Sequence, residues 1–165
     1  MARTELYWVD GPWSGRLAMA ARPRGGDWLD DEIAGWRLAG IDMVLSLLTP
    51  GEESDLQLEG EEQHARAQGL EFLSFPIEDR QVPESETAMA AVLRRLDGAL
   101  SSGKNVVVHC RQGIGRTGLV AACLLVSEGA TPDSAVKTLS HARGVAVPET
   151  PGQRRWIDRY AVLTP

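Results

Sequence analysis

Two short apolar segments, residues 6–9 and 17–20, flank the turn signal Asp10-Gly11-Pro12 and predict an opening β-hairpin. Helical spacing begins after Gly25-Gly26-Asp27. Leu29, Ile33 and Trp36 recur on one face, Asp27 is placed as the N-cap, and Gly40 closes the segment. Residues 41–48 read as a buried strand. An acidic helical stretch follows up to Gly69, with the run 52–62 read as a solvated face. Residues 70–77 form the next predicted strand, ended by the polar loop 78–83. Met89, Val92, Leu93, Leu96 and Leu100 mark one face of an amphipathic helix that stops near Gly103. Val106-Val107-Val108 is a β-branched run suited to a central strand, and it leads into His109-Cys110 and a glycine-rich loop. Residues 117–127 are apolar on every side, which places that helix in the core. Thr131-Pro132 supplies an N-cap and first position for a helix that buries Ala135, Val136 and Leu139. A last helix carries Trp156, Ile157 and Tyr160.

Strands alternating with helices predict an α/β sandwich with a mostly parallel central sheet and helices on both faces. In such folds ligands sit at the carboxyl ends of the strands, which is where His109-Cys110 falls.

Composition narrows the function classes. A chain of 165 residues suits one domain over 1–165, and 43% hydrophobic residues argue against disorder. A formal net charge of −6 disfavours nucleic-acid binding, although a local pocket can still be positive. Two cysteines, Cys110 and Cys123, do not make a disulfide framework and point to a reducing compartment. Residues 1–15 lack the apolar core of a signal peptide, and the longest apolar run, 119–126, is too short to span a bilayer. The expectation is a cytoplasmic monomer without membrane insertion.

The chemistry concentrates in His109-Cys110-Arg111-Gln112-Gly113-Ile114-Gly115-Arg116-Thr117-Gly118. A loop between a strand end and a helix start aims backbone N–H groups inward, with the positive end of the helix dipole behind them. That makes a cradle for a phosphate dianion. Gly113 and Gly115 let the backbone curl, and the Arg116 fork can hold two phosphate oxygens. Residues 111–116 are therefore the expected substrate-binding loop. Cys110 at its floor would be ionised by the groups that attract phosphate, and so nucleophilic. His109 is placed to hold the loop in shape, and the Thr117 hydroxyl to stabilise the sulfur as it leaves. Cys123, on the apolar helix, reads as a core residue. His64 and His141 read as surface or helix histidines, and Arg80, Arg154 and Arg155 are candidates for a positive rim.

His-Cys-x5-Arg-Thr-Gly resembles the signature loop of the protein-tyrosine phosphatase superfamily. The wider chain is similar to its small dual-specificity-like branch, near the cyclin-dependent-kinase-associated phosphatases and their bacterial relatives. Supporting matches run through Gly15-Arg16-Leu17-Ala18, Gly40-Ile41 and Pro76-Ile77-Glu78-Asp79 to Gln153. The resemblance implies a phosphocysteine mechanism without metal or cofactor, acting on a phosphorylated protein or a small phosphate ester. It also implies a general acid on a separate loop, and Asp79-Arg80-Gln81-Val82-Pro83 matches the family's Asp-x-x-x-Pro arrangement, with Glu78 as the neighbouring rival. Gln153 matches a glutamine that positions the hydrolytic water. Phosphotyrosine is the leading substrate, with phosphoserine and phosphothreonine beside it. A phosphoinositide phosphatase, a phosphate-binding pseudophosphatase and a rhodanese-like sulfurtransferase are the alternatives.

Overall fold

The computed structural model describes residues 4–164. The single-domain expectation over 1–165 includes residues 1–3 and 165, which lie outside the described residues. The opening hairpin is present as strands β1 (Tyr7–Val9) and β2 (Leu17–Ala20), paired antiparallel with Trp8 opposite Ala18. Strands β3 (Met43–Ser46), β4 (Glu71–Ser74) and β5 (Val106–His109) complete a five-stranded sheet in the order β1-β2-β5-β3-β4. Every pairing except the hairpin is parallel, and β5 lies between β2 and β3. Val106-Val107-Val108 is fully buried there, as a β-branched central strand requires.

Side chains alternate across the sheet and divide the core in two. Leu17, Met19, Met43, Leu45, Val106 and Val108 pack on one face with helices α4 (Glu86–Ser101), α5 (Gly115–Ser127), α6 (Pro132–Arg143) and α7 (Pro151–Leu163). Ala18, Ala20, Val44, Phe72 and Val107 pack on the other with α1 (Leu29–Leu38) and α3 (Glu61–Ala67). Helix α5 is buried at every position from Gly115 to Val126, which explains its unbroken apolar run from Leu119 to Val126.

Three expectations need correction. Asp27 is not an N-cap: it lies inside a 3-10 turn, Gly26–Trp28, that leads into α1, and Trp28 occupies the cap without a side-chain bond. The strands expected over 41–48 and 70–77 are ladders of only four residues each. Ile41, Leu47, Leu48 and Ile77 are nonetheless buried, because burial rather than pairing selects apolar residues. The acidic stretch is two short helices, α2 (Pro50–Asp55) and α3, rather than one solvated element; it buries Glu61 fully and Glu52 in part.

Candidate active site

The site lies where the carboxyl ends of β2, β3, β4 and β5 open into loops. Strand β5 delivers His109, the chain turns through 110–114, and α5 begins at Gly115. Gly113 adopts φ +72°, and a Cβ there would stand 2.5 Å from the Ala20 carbonyl, so this turn against the end of β2 requires glycine. Arg143, the last residue of α6, clasps the turn from outside. Its guanidinium donates to the Gln112 and Gly113 carbonyls at 3.0 and 3.2 Å and lies over the Tyr7 ring at 4.1 Å. Arg22 N–H donates to the Arg111 carbonyl at 3.3 Å from the β2 side.

Cys110 is 3% exposed at the floor of a small polar recess lined by Asp79, Cys110, Arg111, Gln112, Gly115, Arg116 and Glu149. The Thr117 hydroxyl donates to the Cys110 sulfur at 3.0 Å. Arg116, 1% exposed, has its Nη1 on the Ile77 carbonyl at 2.8 Å and on Glu52 Oε1 at 2.7 Å. Its Nη2 reaches Glu52 Oε2 at 2.9 Å and Asp79 Oδ1 at 3.2 Å. Burial alone would pull the guanidinium's pKa down, but the Glu52 hydrogen bond and the Cys110, Glu52 and Asp79 charges raise it above its ordinary value. Arg116 is thus held in one orientation as a permanent cation. Asp79 lines the recess and Glu78 does not.

His109 is fully buried under the loop. Its Nδ1 faces the Cys110 carbonyl at 3.3 Å, its Nε2 meets Glu61 Oε2 at 2.6 Å, and its ring lies 5.8 Å from that of Trp36. The remaining loop residues differ in exposure. Arg111 and Gln112 point outward, whereas Ile114 packs against the core. Gln153 sits behind the recess rather than in its lining: its Oε1 accepts from the Glu149 and Thr150 N–H groups, and its Nε2 donates to the Gln81 carbonyl at 3.2 Å. In this arrangement it ties the start of α7 to the loop carrying Asp79. Arg80 joins the same tie through Glu149 at 3.1 Å. Arg154 is drawn away to Asp133 and Asp158. Cys123 is fully buried, and burial pushes its thiol far up. His64 pairs with Asp30 on the surface at 3.4 Å.

The structure therefore brings Cys110, Arg116, Thr117, Asp79 and His109 together and adds residues that had no expected site role of their own: Glu52 and Glu61, expected on a solvated face, Glu149, and Arg143. Two signals were available. Thr49-Pro50-Gly51-Glu52 is a capping-box pattern just after a buried strand, and Glu52 does close that box. Glu61 shares a helix face with the buried Ala65.

Glu52 makes a pH prediction. Burial raises its pKa, but the Arg116 and Thr49 hydrogen bonds outweigh that and hold it below the usual carboxylate range. A depressed acid contributes stability above its unfolded value and loses it as pH falls through the folded one. E52Q is expected to cost about 1.5–3 kcal/mol at pH 7. In urea melts the gap to wild type should close below about pH 4; a gap constant from pH 7 to 3 would contradict the Glu52–Arg116 coupling.

The same fold occurs in kinase associated phosphatase carrying serine for its catalytic-site cysteine, with a TM-score of 0.89 at 20% identity over 99% of this chain and 97% of that one. Tk-PTP in its active form gives a TM-score of 0.78 at 26% identity over 95% and 96% of the two chains. In sequence, cyclin-dependent kinase inhibitor 3 of Rattus norvegicus is 27% identical over 124 residues, which is 74% of this chain and 58% of that protein. The chain spans a little over half the length of that curated relative. Residues 19–130 match the family model described as "Tc-R-P: Polymorphic toxin system, DSP-PTPase phosphatase". That match extends over well more than half of the chain and contains the whole of the Cys110 loop, so the protein belongs to the DSP-PTPase phosphatase family of the protein-tyrosine phosphatase superfamily.

Proposed function

We propose that the protein hydrolyses phosphate monoesters, protein phosphotyrosine foremost, through a phosphocysteine on Cys110. The observation that carries this reading is Cys110 at the floor of a polar recess, its sulfur 3.0 Å from the Thr117 hydroxyl and its walls formed by Arg116 and Asp79. The Cys110 thiolate attacks phosphorus and the bond to the leaving oxygen breaks. Asp79 gives that oxygen its proton. Water, deprotonated by the resulting Asp79 carboxylate, then attacks the phosphocysteine. The P–S bond breaks, inorganic phosphate departs, and Thr117 stabilises the returning thiolate. Arg116 and the loop amides stabilise the charge on the equatorial oxygens in both steps. An incoming phosphate oxygen takes the Nη2–H that Arg116 now shares with Asp79, which turns Asp79 toward the leaving group. Neither step calls on a metal or cofactor.

Charge around the recess bears on the substrate. Arg80, Arg111 and Arg116 are faced by Glu149, Glu52 and Asp79, so each of these three cations is already matched by a carboxylate. That favours a singly phosphorylated protein side chain over a phosphoinositide. Hydrolysis of a phosphotyrosine peptide, a phosphothreonine peptide and a phosphoinositide in EDTA tests both points. The expected order places phosphotyrosine first, and turnover of the phosphoinositide alone would overturn the substrate reading.

D79A tests the acid. Loss of a positioned acid is expected to lower kcat/KM about 10²–10⁴-fold on alkyl phosphates, with a much smaller loss of kcat/KM on p-nitrophenyl phosphate, whose leaving group needs no proton in the first step. An equal rate on alkyl phosphates would transfer the role to Glu149, the other carboxylate lining the recess with an open path to solvent.

A cytoplasmic, monomeric protein that binds no nucleic acid belongs to the same proposal. It is supported by two free buried cysteines and the net charge of −6. Among the described residues no helix is long and apolar enough to cross a membrane. Sedimentation at micromolar concentration checks the monomer.

A further inference from the structure

The tip of the loop carrying Asp79 has little apolar packing to hold it. Glu78, Asp79, Arg80 and Gln81 are all exposed, and their backbone is braced by a turn bond from Gln81 N–H to the Glu78 carbonyl at 2.9 Å. Packing against the core resumes at Ile77 on one side and at Val82 on the other. Among the described residues three side-chain ties reach the tip. Arg116 meets Asp79 at 3.2 Å, Glu149 meets Arg80 at 3.1 Å, and Gln153 Nε2 donates to the Gln81 carbonyl at 3.2 Å.

These ties do not share one fate. A phosphate that takes the Nη2–H of Arg116 removes the first, at the moment the acid is needed. The other two come from a segment that substrate does not displace. Thr150 and Gln153 close a capping box at the start of α7, and Gln153 Oε1 also accepts from the Glu149 N–H. A Cβ on Gly115 would stand 3.0 Å from that of Glu149, and one on Gly118 2.9 Å from that of Val147, so residues 147–149 are seated directly on α5. Arg80 meets this fixed segment from a left-handed backbone, φ +64°, which glycine adopts freely and a residue with a Cβ adopts at a cost. What arginine supplies there and glycine cannot is the guanidinium on Glu149.

We propose that Arg80 is a positioning residue whose ion pair with Glu149 pins the loop tip to the start of α7 and keeps Asp79 over the recess after substrate has taken Arg116 from it. The proposal rests on Asp79 being the acid of the phosphatase reaction, yet part of its test requires no turnover. Arg80 acts through the loop and not on the phosphate, and the Gln153 bond to the Gln81 carbonyl is the parallel tie beside it. The pair is 58% and 31% exposed, so its effect is that of a surface ion pair, modest and weakened by salt.

Hydrogen exchange of the Gln81 amide, followed by NMR with saturating inorganic phosphate, reads the tie directly. R80A and E149A should each speed exchange about two- to fivefold, and the double variant no more than either alone. R80G, free of the backbone cost but without the guanidinium, should behave as R80A does, and R80K should restore protection. In kinetics, R80A should lower kcat/KM on phenyl phosphate by the same two- to fivefold and lower it much less on p-nitrophenyl phosphate, because only the former leaving group draws on Asp79. Raising the salt should narrow the gap between wild type and R80A. Wild-type protection in R80G would show that the turn alone holds the tip and would overturn the proposal. So would additive effects of R80A and E149A, or an equal loss on both esters, which would place Arg80 in substrate binding. Coupled loss of protection in a protein that hydrolyses neither ester would sustain this inference and defeat the proposed function instead.

Discussion

Replacing Cys110 by serine is expected to lower turnover on the order of 10⁶-fold while leaving phosphate capture intact. A hydroxyl in that position stays protonated at neutral pH, because the loop amides and helix dipole that suffice for a thiol cannot ionise an alcohol. The rest of the cradle does not depend on sulfur. Arg116 is held by Glu52 and the Ile77 carbonyl, Gly113 is seated on β2, and Arg143 clasps the loop carbonyls from outside. Calorimetry with a phosphotyrosine peptide should therefore give an affinity at least equal to that of the wild type. Serine also removes the negative charge that a bound phosphate dianion would meet. Residual activity within a hundredfold of wild type would mean that another group attacks phosphorus. Loss of binding together with turnover would mean that Cys110 shapes the loop rather than reacting from it.

The second large effect is expected from R116K. Lysine keeps the charge but not the planar fork. Arg116 spans three tasks at once: it pairs bidentately with Glu52, donates to Ile77, and presents Nη2 toward the recess. An ammonium group meets at most some of these. Losing a preorganised donor to the transferring phosphoryl group costs about 10²–10³-fold in kcat/KM. Inhibition by inorganic phosphate should weaken as well, because the ground-state dianion uses the same contact. Truncation to alanine is the less useful variant. It would leave Glu52 unpaired in a partly buried place, at about 3–5 kcal/mol, and misfolding would hide the catalytic effect. An R116K enzyme within tenfold of wild type would show that the loop amides alone stabilise the transferring group.

Much of this was legible in the chain because it is local. Val106-Val107-Val108 must be buried on both faces, the loop from Cys110 to Arg116 is contiguous, and an all-apolar helix at 117–127 has nowhere to go but the core. Strand, loop and helix therefore fix the nucleophile and the clamp in one stretch of sequence. What the sequence reading did not reveal is carried by contacts between distant segments. Glu52 reaches Arg116 across 64 residues and Glu61 reaches His109 across 48, both because β3 lies beside β5. In a run of acidic residues nothing local separates a glutamate that faces water from one that turns inward to meet a buried cation. The lengths of the ladders were illegible for a related reason. Ile41, Leu47 and Ile77 are as apolar as strand residues but leave the regular pairing, and the same burial selects them. Asp27 has the chemistry of an N-cap, yet the 3-10 turn moves the start of α1 past it.

The central claim is covalent transfer of phosphate to Cys110 without metal. It is tested most directly by rapid quenching of the wild-type protein with a 32P-labelled phosphotyrosine peptide in EDTA, followed by mapping of the acid-stable label. The account predicts a label on Cys110, formed faster than phosphate is released. A label on any other residue, or phosphate release with no label at any time, would contradict it.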